Sequence, residues 1–145
     1  ETMHKNKAMW FGREGVALAE GRKGIKLPSG LYISYPQLHR GHNKRGQESW
    51  QYKDEKGLTD LYGGKLTENV VQALARIVVM YQLLKISKKL RVVLTVHDSV
   101  VAIARKEEAA QATAFVEECM RWIPKWAQGC PINCESDVSN AYGQK

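Results

Sequence analysis

The stretch LRVVLTVHDSVVAIAR, residues 90 to 105, places His97, Asp98 and Ser99 between two apolar runs rich in β-branched residues. An imidazole, a carboxylate and a hydroxyl in a row have the chemistry of a hydrolase triad but not its geometry. Three consecutive residues cannot fold back on one another as nucleophile, base and orienter must. The flanking runs read instead as two strands of a hairpin with His97-Asp98 at its tip. Asp98 then has two readings. It is a residue that merely tolerates turn geometry, or a carboxylate held rigidly at a sheet edge to bind a divalent cation. Mg2+ suits the second, because one or two carboxylates hold it together with substrate phosphates, and a tight hairpin leaves such a ligand little freedom to lose.

A second set of groups lies upstream. From Lys65 to Ile86 the residues Leu66, Val70, Leu74, Ile77, Tyr81 and Leu84 recur at steps of three and four, the period of a helix with one apolar face. Lys65, Asn69, Gln72 and Arg76 fall on a different, narrow stripe of that helix. All are hydrogen-bond donors and none is negative, whereas a solvated helix face usually mixes charge sign. Such a stripe can follow a phosphate backbone, or it can be a plain polar face.

These groups need a scaffold, and the rest of the chain supplies its parts. Residues 3 to 20 are expected to form a helix closing at Gly21, with Trp10, Val16 and Leu18 among its apolar positions. GIKLPSGLYISYP alternates in the strand manner on both sides of Pro28-Ser29-Gly30 and reads as a hairpin. HRGHNKRGQE, residues 39 to 48, is expected to be a polar loop, and SWQYKDEKGLTDLY a second pair of short strands around Lys56-Gly57. After the hairpin of residues 90 to 105, a helix is expected from Lys106 to about Ile123, with Phe115, Cys119, Trp122 and Trp126 on one face and Pro124 at its end. A last short strand falls near Pro131 to Val138. The order implies an α+β fold, helices packed on one face of an antiparallel sheet, in a single domain spanning residues 1 to 145.

Composition narrows the partners. With 145 residues and 43% apolar content the chain can bury a real core. Its net charge of +7 favours a polyanion, because Lys and Arg that replace condensed counterions are rewarded by their release. No apolar run of roughly 18 to 20 residues is apparent, nor a signal peptide, so no membrane partner and an intracellular location are expected. Cys119, Cys130 and Cys134 make neither an even disulfide set nor paired CxxC motifs, and read as reduced thiols. The abrupt entry into an element after Glu1 is expected of a fragment of a longer chain.

TVHDSVV between two apolar strands resembles the third sequence motif of family A DNA polymerases, usually Val-His-Asp-Glu, at the tip of a palm hairpin. LYGGKLTENVVQALAR is similar to the helix that bacteriophage members place just before it. IKLPSGLYISYP resembles the phage-type strand pair after the fingers, and MRWIPKW followed by PINCESDVSNAYG resembles the last palm helix and terminal strand. Together these segments cover essentially the whole chain.

The resemblance implies the C-terminal half of the palm of a DNA-directed DNA polymerase, at work in the cytoplasm of a bacterial host. It makes Asp98 one of two catalytic aspartates that bind a pair of Mg2+ ions, with His97 near the primer terminus. Gln72, with Asn69, Arg76 and Lys65 on the same stripe, would face the primer-template duplex. Polar donors in a minor groove accept any base pair, because purine N3 and pyrimidine O2 are shared acceptors. In the two-metal mechanism one ion activates the primer 3′-hydroxyl and the other neutralises the triphosphate. The implied partners are primer-template DNA, deoxynucleoside triphosphates and the remaining polymerase segments: fingers, thumb and first palm motif.

The chain departs from the family pattern in places. Ser99 stands where the motif commonly has Glu, and Asn69 and Gln72 are three apart where many cellular members have four. The family's first motif, Asp-x-Ser followed by Glu, and its fingers helix, Arg-x3-Lys-x7-Tyr-Gly, lie upstream of the segments present here. Asp137-Val-Ser139 lacks the following Glu, and Arg40, Lys44 and Tyr52 are interrupted by Gly46, so neither substitutes. The isolated chain is therefore expected to be inactive. The alternative is a standalone basic nucleic-acid-binding domain, a polymerase remnant without catalysis. A small metal-dependent nuclease would need further acidic ligands beside Asp98, such as Glu135 or Asp137.

Overall fold

The computed structural model describes residues 3, 7–11, 16–21 and 24–143. The fold is α+β, as expected, but its strands make three separate antiparallel sheets. The chain divides into two compact units, Glu1–Ala75 and Arg76–Lys145.

In the first unit β1 (Ala8–Phe11), β2 (Ala17–Glu20), β3 (Ile25–Lys26) and β4 (Tyr32–Ile33) lie in chain order. The helix expected over residues 3 to 20 is thus replaced by two strands, paired from Ala8↔Glu20 to Phe11↔Ala17; residues 4–6 and 12–15 of that span lie outside the described set. The reason is a period of two: Ala17 and Ala19 are buried while Leu18 and Glu20 are only half-covered. Gly12 and Gly15, four residues end to end, are the helix-breaking signal that the sequence carried. The Pro28-Ser29-Gly30 turn joins β3 and β4 as expected, closed by a 2.8 Å bond from the Leu27 N–H to the Leu31 carbonyl.

A three-stranded meander comes next: β5 (His39–His42), β6 (Glu48–Asp54) and β7 (Gly57–Leu61). The β6–β7 pair was expected, but β5 occupies what read as a polar loop. Its alternation is invisible to a hydropathy reading because both faces are polar. Its register, His39↔Gln51 to His42↔Glu48, is fixed by main-chain pairing and by Gln51, whose Nε2 donates to the His42 carbonyl (3.0 Å) and to Asp60 (2.9 Å). The core of this unit joins Met3, Ala17, Ala19, Ile25, Tyr35, Leu61 and Val70. Complete burial of Ile25 alone stabilises by about 1.5–3 kcal/mol.

Helix α1 (Gly63–Ile86) begins in the first unit and continues in the second. By length and composition it is apolar enough to cross a membrane, contrary to the expectation that no such run exists. The core helix of a folded protein passes the same test, and Val70 sits in a protein core.

The second unit contains the remainder of α1, β8 (Arg91–Val96), β9 (Ser99–Ile103) and α2 (Ala109–Met120). Its buried positions include Ile77, Val78, Ile86 and Cys119. Tyr81 meets Trp122 edge to face at 6.2 Å, and Lys85 lies over the same indole at 4.5 Å. The expected helix over 106 to 123 is shorter: residues 106–108 form a single 3₁₀ turn before α2, and Trp126 falls in another beyond Pro124. Trp126 is therefore not on the α2 face with Phe115, Cys119 and Trp122. No strand forms at 131–138. The segment is tied to α2 by side chains instead, Arg121 Nε donating to Asn133 (3.2 Å) and the Ser136 hydroxyl donating to Glu117.

Candidate active site

The β8–β9 hairpin turns in two residues, His97 and Asp98, between the pair Val96↔Ser99. Of the two, His97 has positive φ, +53°, and Asp98 does not, the sign pattern of a type II′ turn whose first position normally takes glycine. A side chain held in that region costs about 1–3 kcal/mol and persists where the surroundings or a function require it. The register shifts between Val92 and Leu94, so Val93 is an extra residue in β8. Bulges of this kind bend a strand and re-aim the side chains beyond them.

His97, Asp98 and Ser99 are all exposed. Arg76 reaches the tip from α1, its guanidinium Nη1 donating to the His97 main-chain carbonyl at a long 3.4 Å. The side chain of Asp98 has no hydrogen-bond or ion-pair partner among the described residues. An exposed, unsatisfied carboxylate on a short, strained turn is available to a ligand.

The other three members of the helix stripe belong to the first unit, and each has a local partner. Asn69 Nδ2 donates to the Tyr35 hydroxyl at 3.1 Å, and Tyr35 in turn meets Tyr52 edge to face. Burial pushes the Tyr35 phenol up, while the bond from Asn69 opposes that rise. Lys65 lies over the Tyr52 ring at 5.9 Å. The Asp54 carboxyl is held low chiefly by the Thr59 hydroxyl at 2.6 Å, with main-chain amides of Lys56 and Gly57 and the charge of Lys65 adding to it. Gln72 is exposed and donates to Glu68, one turn earlier, at 3.1 Å. Glu68 is thus an acidic neighbour of the stripe that a count restricted to positions 65, 69, 72 and 76 overlooks.

Among the described residues no group of three or more His, Cys, Asp or Glu side chains is placed to hold a metal ion. Glu135 and Asp137 therefore do not complete a three-ligand nuclease site with Asp98. The donor set at the tip is one carboxylate. It fits Mg2+ as a single oxygen ligand in a site completed by other oxygens, and does not constitute such a site alone.

The chain is 31% identical to the DNA polymerase of Bacillus phage SP02 over an alignment of 127 residues that covers 81% of the chain. It spans 19% of that relative, so the similarity is to one part of a phage DNA polymerase. No family model matches the chain, and no solved structure matches it.

Proposed function

We propose that this chain is the C-terminal part of the palm of a phage-type family A DNA polymerase, acting in template-dependent nucleotidyl transfer. The observation that carries the reading is the exposed Asp98, its side chain without a partner among the described residues, on the strained two-residue tip of β8–β9. Similarity to a segment of the SP02 polymerase supports it. Mg2+, when bound, supplies charge neutralisation at the reacting phosphate and activation of the primer hydroxyl. The chain's own contribution is narrower. Asp98 offers one ligand oxygen, His97 faces the primer end beside it, and Arg76 supports the turn through the His97 carbonyl. Gln72, exposed on α1, is the amide of the stripe suited to touch the duplex.

The hairpin also explains why further polymerase segments are partners. Two strands alone are marginal in water, and here Val93, Leu94, Val96 and Ile103 stay 38–57% exposed. Covering them would stabilise the hairpin and bring the missing carboxylate and triphosphate-binding groups together with Asp98.

The test is Mg2+-dependent primer extension by the complete polypeptide containing this segment. Asp98→Asn should reduce extension on the order of a thousandfold, several kcal/mol of transition-state stabilisation, and leave primer-template affinity within about twofold. Unchanged extension excludes the assigned role. Duplex binding by a complete polypeptide that never extends a primer assigns the chain to the binding-only class.

A further inference from the structure

Two clusters of positive charge lie within the described residues. Lys85, Lys88, Lys89 and Arg91 follow one another at the end of α1. They have a local explanation: cations favour a helix C-terminus, and Lys85 and Lys89 each lie 4.5 Å from an aromatic ring centre, those of Trp122 and Phe115. The second cluster, Arg40, Lys44 and Arg45 with His39 and His42, falls within HRGHNKRGQ, which holds no carboxylate. Arg40 lies over Trp50 at 5.2 Å and 3.7 Å from Glu48, and the His39 ring Nδ1 lies 2.8 Å from the Gln37 main-chain carbonyl.

The fold makes this second cluster a rigid projection. β5 and β6 are joined by a turn that Asn43 holds: its Oδ1 accepts the main-chain N–H of Arg45 (2.9 Å) and of Gln47 (3.0 Å). Main-chain bonds from Asn43 to Gln47 and from Gly46 to Asn43 close it, with Gly46 at φ +75°. None of these bonds uses the side chain of Lys44 or Arg45. Both are exposed, and among the described residues neither side chain has a hydrogen-bond or ion-pair partner. The other end of the same meander carries Asp54, Glu55 and Lys56, of mixed sign. The sheet is therefore cationic at one end.

We infer that the β5–β6 hairpin is a second nucleic-acid contact, with Lys44 and Arg45 binding backbone phosphates without regard to sequence. Cations fixed on a preorganised turn lose little freedom on binding. The tip has no aromatic or aliphatic anchor of the kind a protein interface or a membrane insertion needs. The inference rests on the reading of the chain as DNA-binding, but not on Asp98 or on catalysis.

The experiment is fluorescence anisotropy of a labelled DNA duplex with the complete polypeptide containing this segment across a salt series, with far-UV circular dichroism on each variant. Lys44→Ala/Arg45→Ala should bind more weakly and flatten the slope of log K against log salt by about 1.8, about 0.9 for each lost phosphate contact. Arg45→Gln should flatten it by about half as much, and Lys56→Ala, at the opposite end of the sheet, should leave it unchanged. An unchanged slope in both hairpin variants overturns the contact while leaving the polymerase reading intact. Failure of the unmodified complete polypeptide to bind the duplex overturns both. Variants that lose binding only to phosphatidylserine vesicles, with duplex binding intact, assign the tip to a membrane surface and overturn it as well.

Discussion

Gln82 and Met120 are joined by a 2.6 Å hydrogen bond from the Gln82 side-chain amide to the Met120 main-chain carbonyl, and the same nitrogen reaches the Trp122 carbonyl at 3.0 Å. Met120 ends α2 and Trp122 lies two residues beyond it, where carbonyls have no helical donor. Gln82 is 2% exposed, so water cannot take over if the amide is removed. Gln82→Leu keeps the bulk and deletes the donor. It should destabilise the chain by about 1–3 kcal/mol, read as a lower midpoint in urea unfolding. An unchanged midpoint would show that the two carbonyls find other partners.

Gly41 makes a similar case for the meander. A Cβ there would land on the Gln51 side-chain oxygen, so Gly41→Ala must displace Gln51 from its bonds to His42 and Asp60. The expected cost is about 1–2 kcal/mol. In the background of Gln51→Ala, which already lacks those bonds, the same change should cost clearly less; additivity in that double-mutant cycle would refute the steric account.

These two residues also mark what a sequence can disclose. The hairpin around His97-Asp98, the Pro28-Ser29-Gly30 turn and α1 were legible because apolar period and turn chemistry agree there. β5 was not, since its only pattern is the pairing of polar residues with Gln51 and its neighbours. The first strands were hidden by alanines, which suit helix and strand alike, and the 131–138 segment by interactions with Glu117 and Arg121 distant in sequence. At the site the position of Asp98 was legible; the positive φ of His97, the Arg76 contact and the engagement of Asn69 by Tyr35 arise only in three dimensions.

Glu117 gives the fold an acid-sensitive point. Its carboxyl is held below the ordinary glutamate range first by the Ser136 hydroxyl and then by Arg121, whose Nη1 donates at 3.0 Å. A lowered folded-state value means that the unfolded chain binds the proton more readily. The stabilisation is then complete above the ordinary value of 4.5 and is lost as the pH falls through the folded-state value. Amide chemical shifts of residues 133–136, followed by NMR, should step across that window. Glu117→Gln should show the low-pH shifts already at neutral pH and no such step. A step that survives the substitution would belong to another group.

His97→Gly separates a turn former from a working residue. Glycine adopts φ near +53° without a Cβ penalty, so the substitution should raise stability by up to about 1 kcal/mol. The carbonyl that accepts from Arg76 is retained, and the hairpin should keep its register. If the imidazole only fills a turn, primer extension by the complete polypeptide stays at the unmodified level while the unfolding midpoint rises. If it positions the primer end beside Asp98, extension falls by about tenfold or more in a protein that is more stable than the original. Opposite movements of stability and activity are what a strained residue retained for function produces.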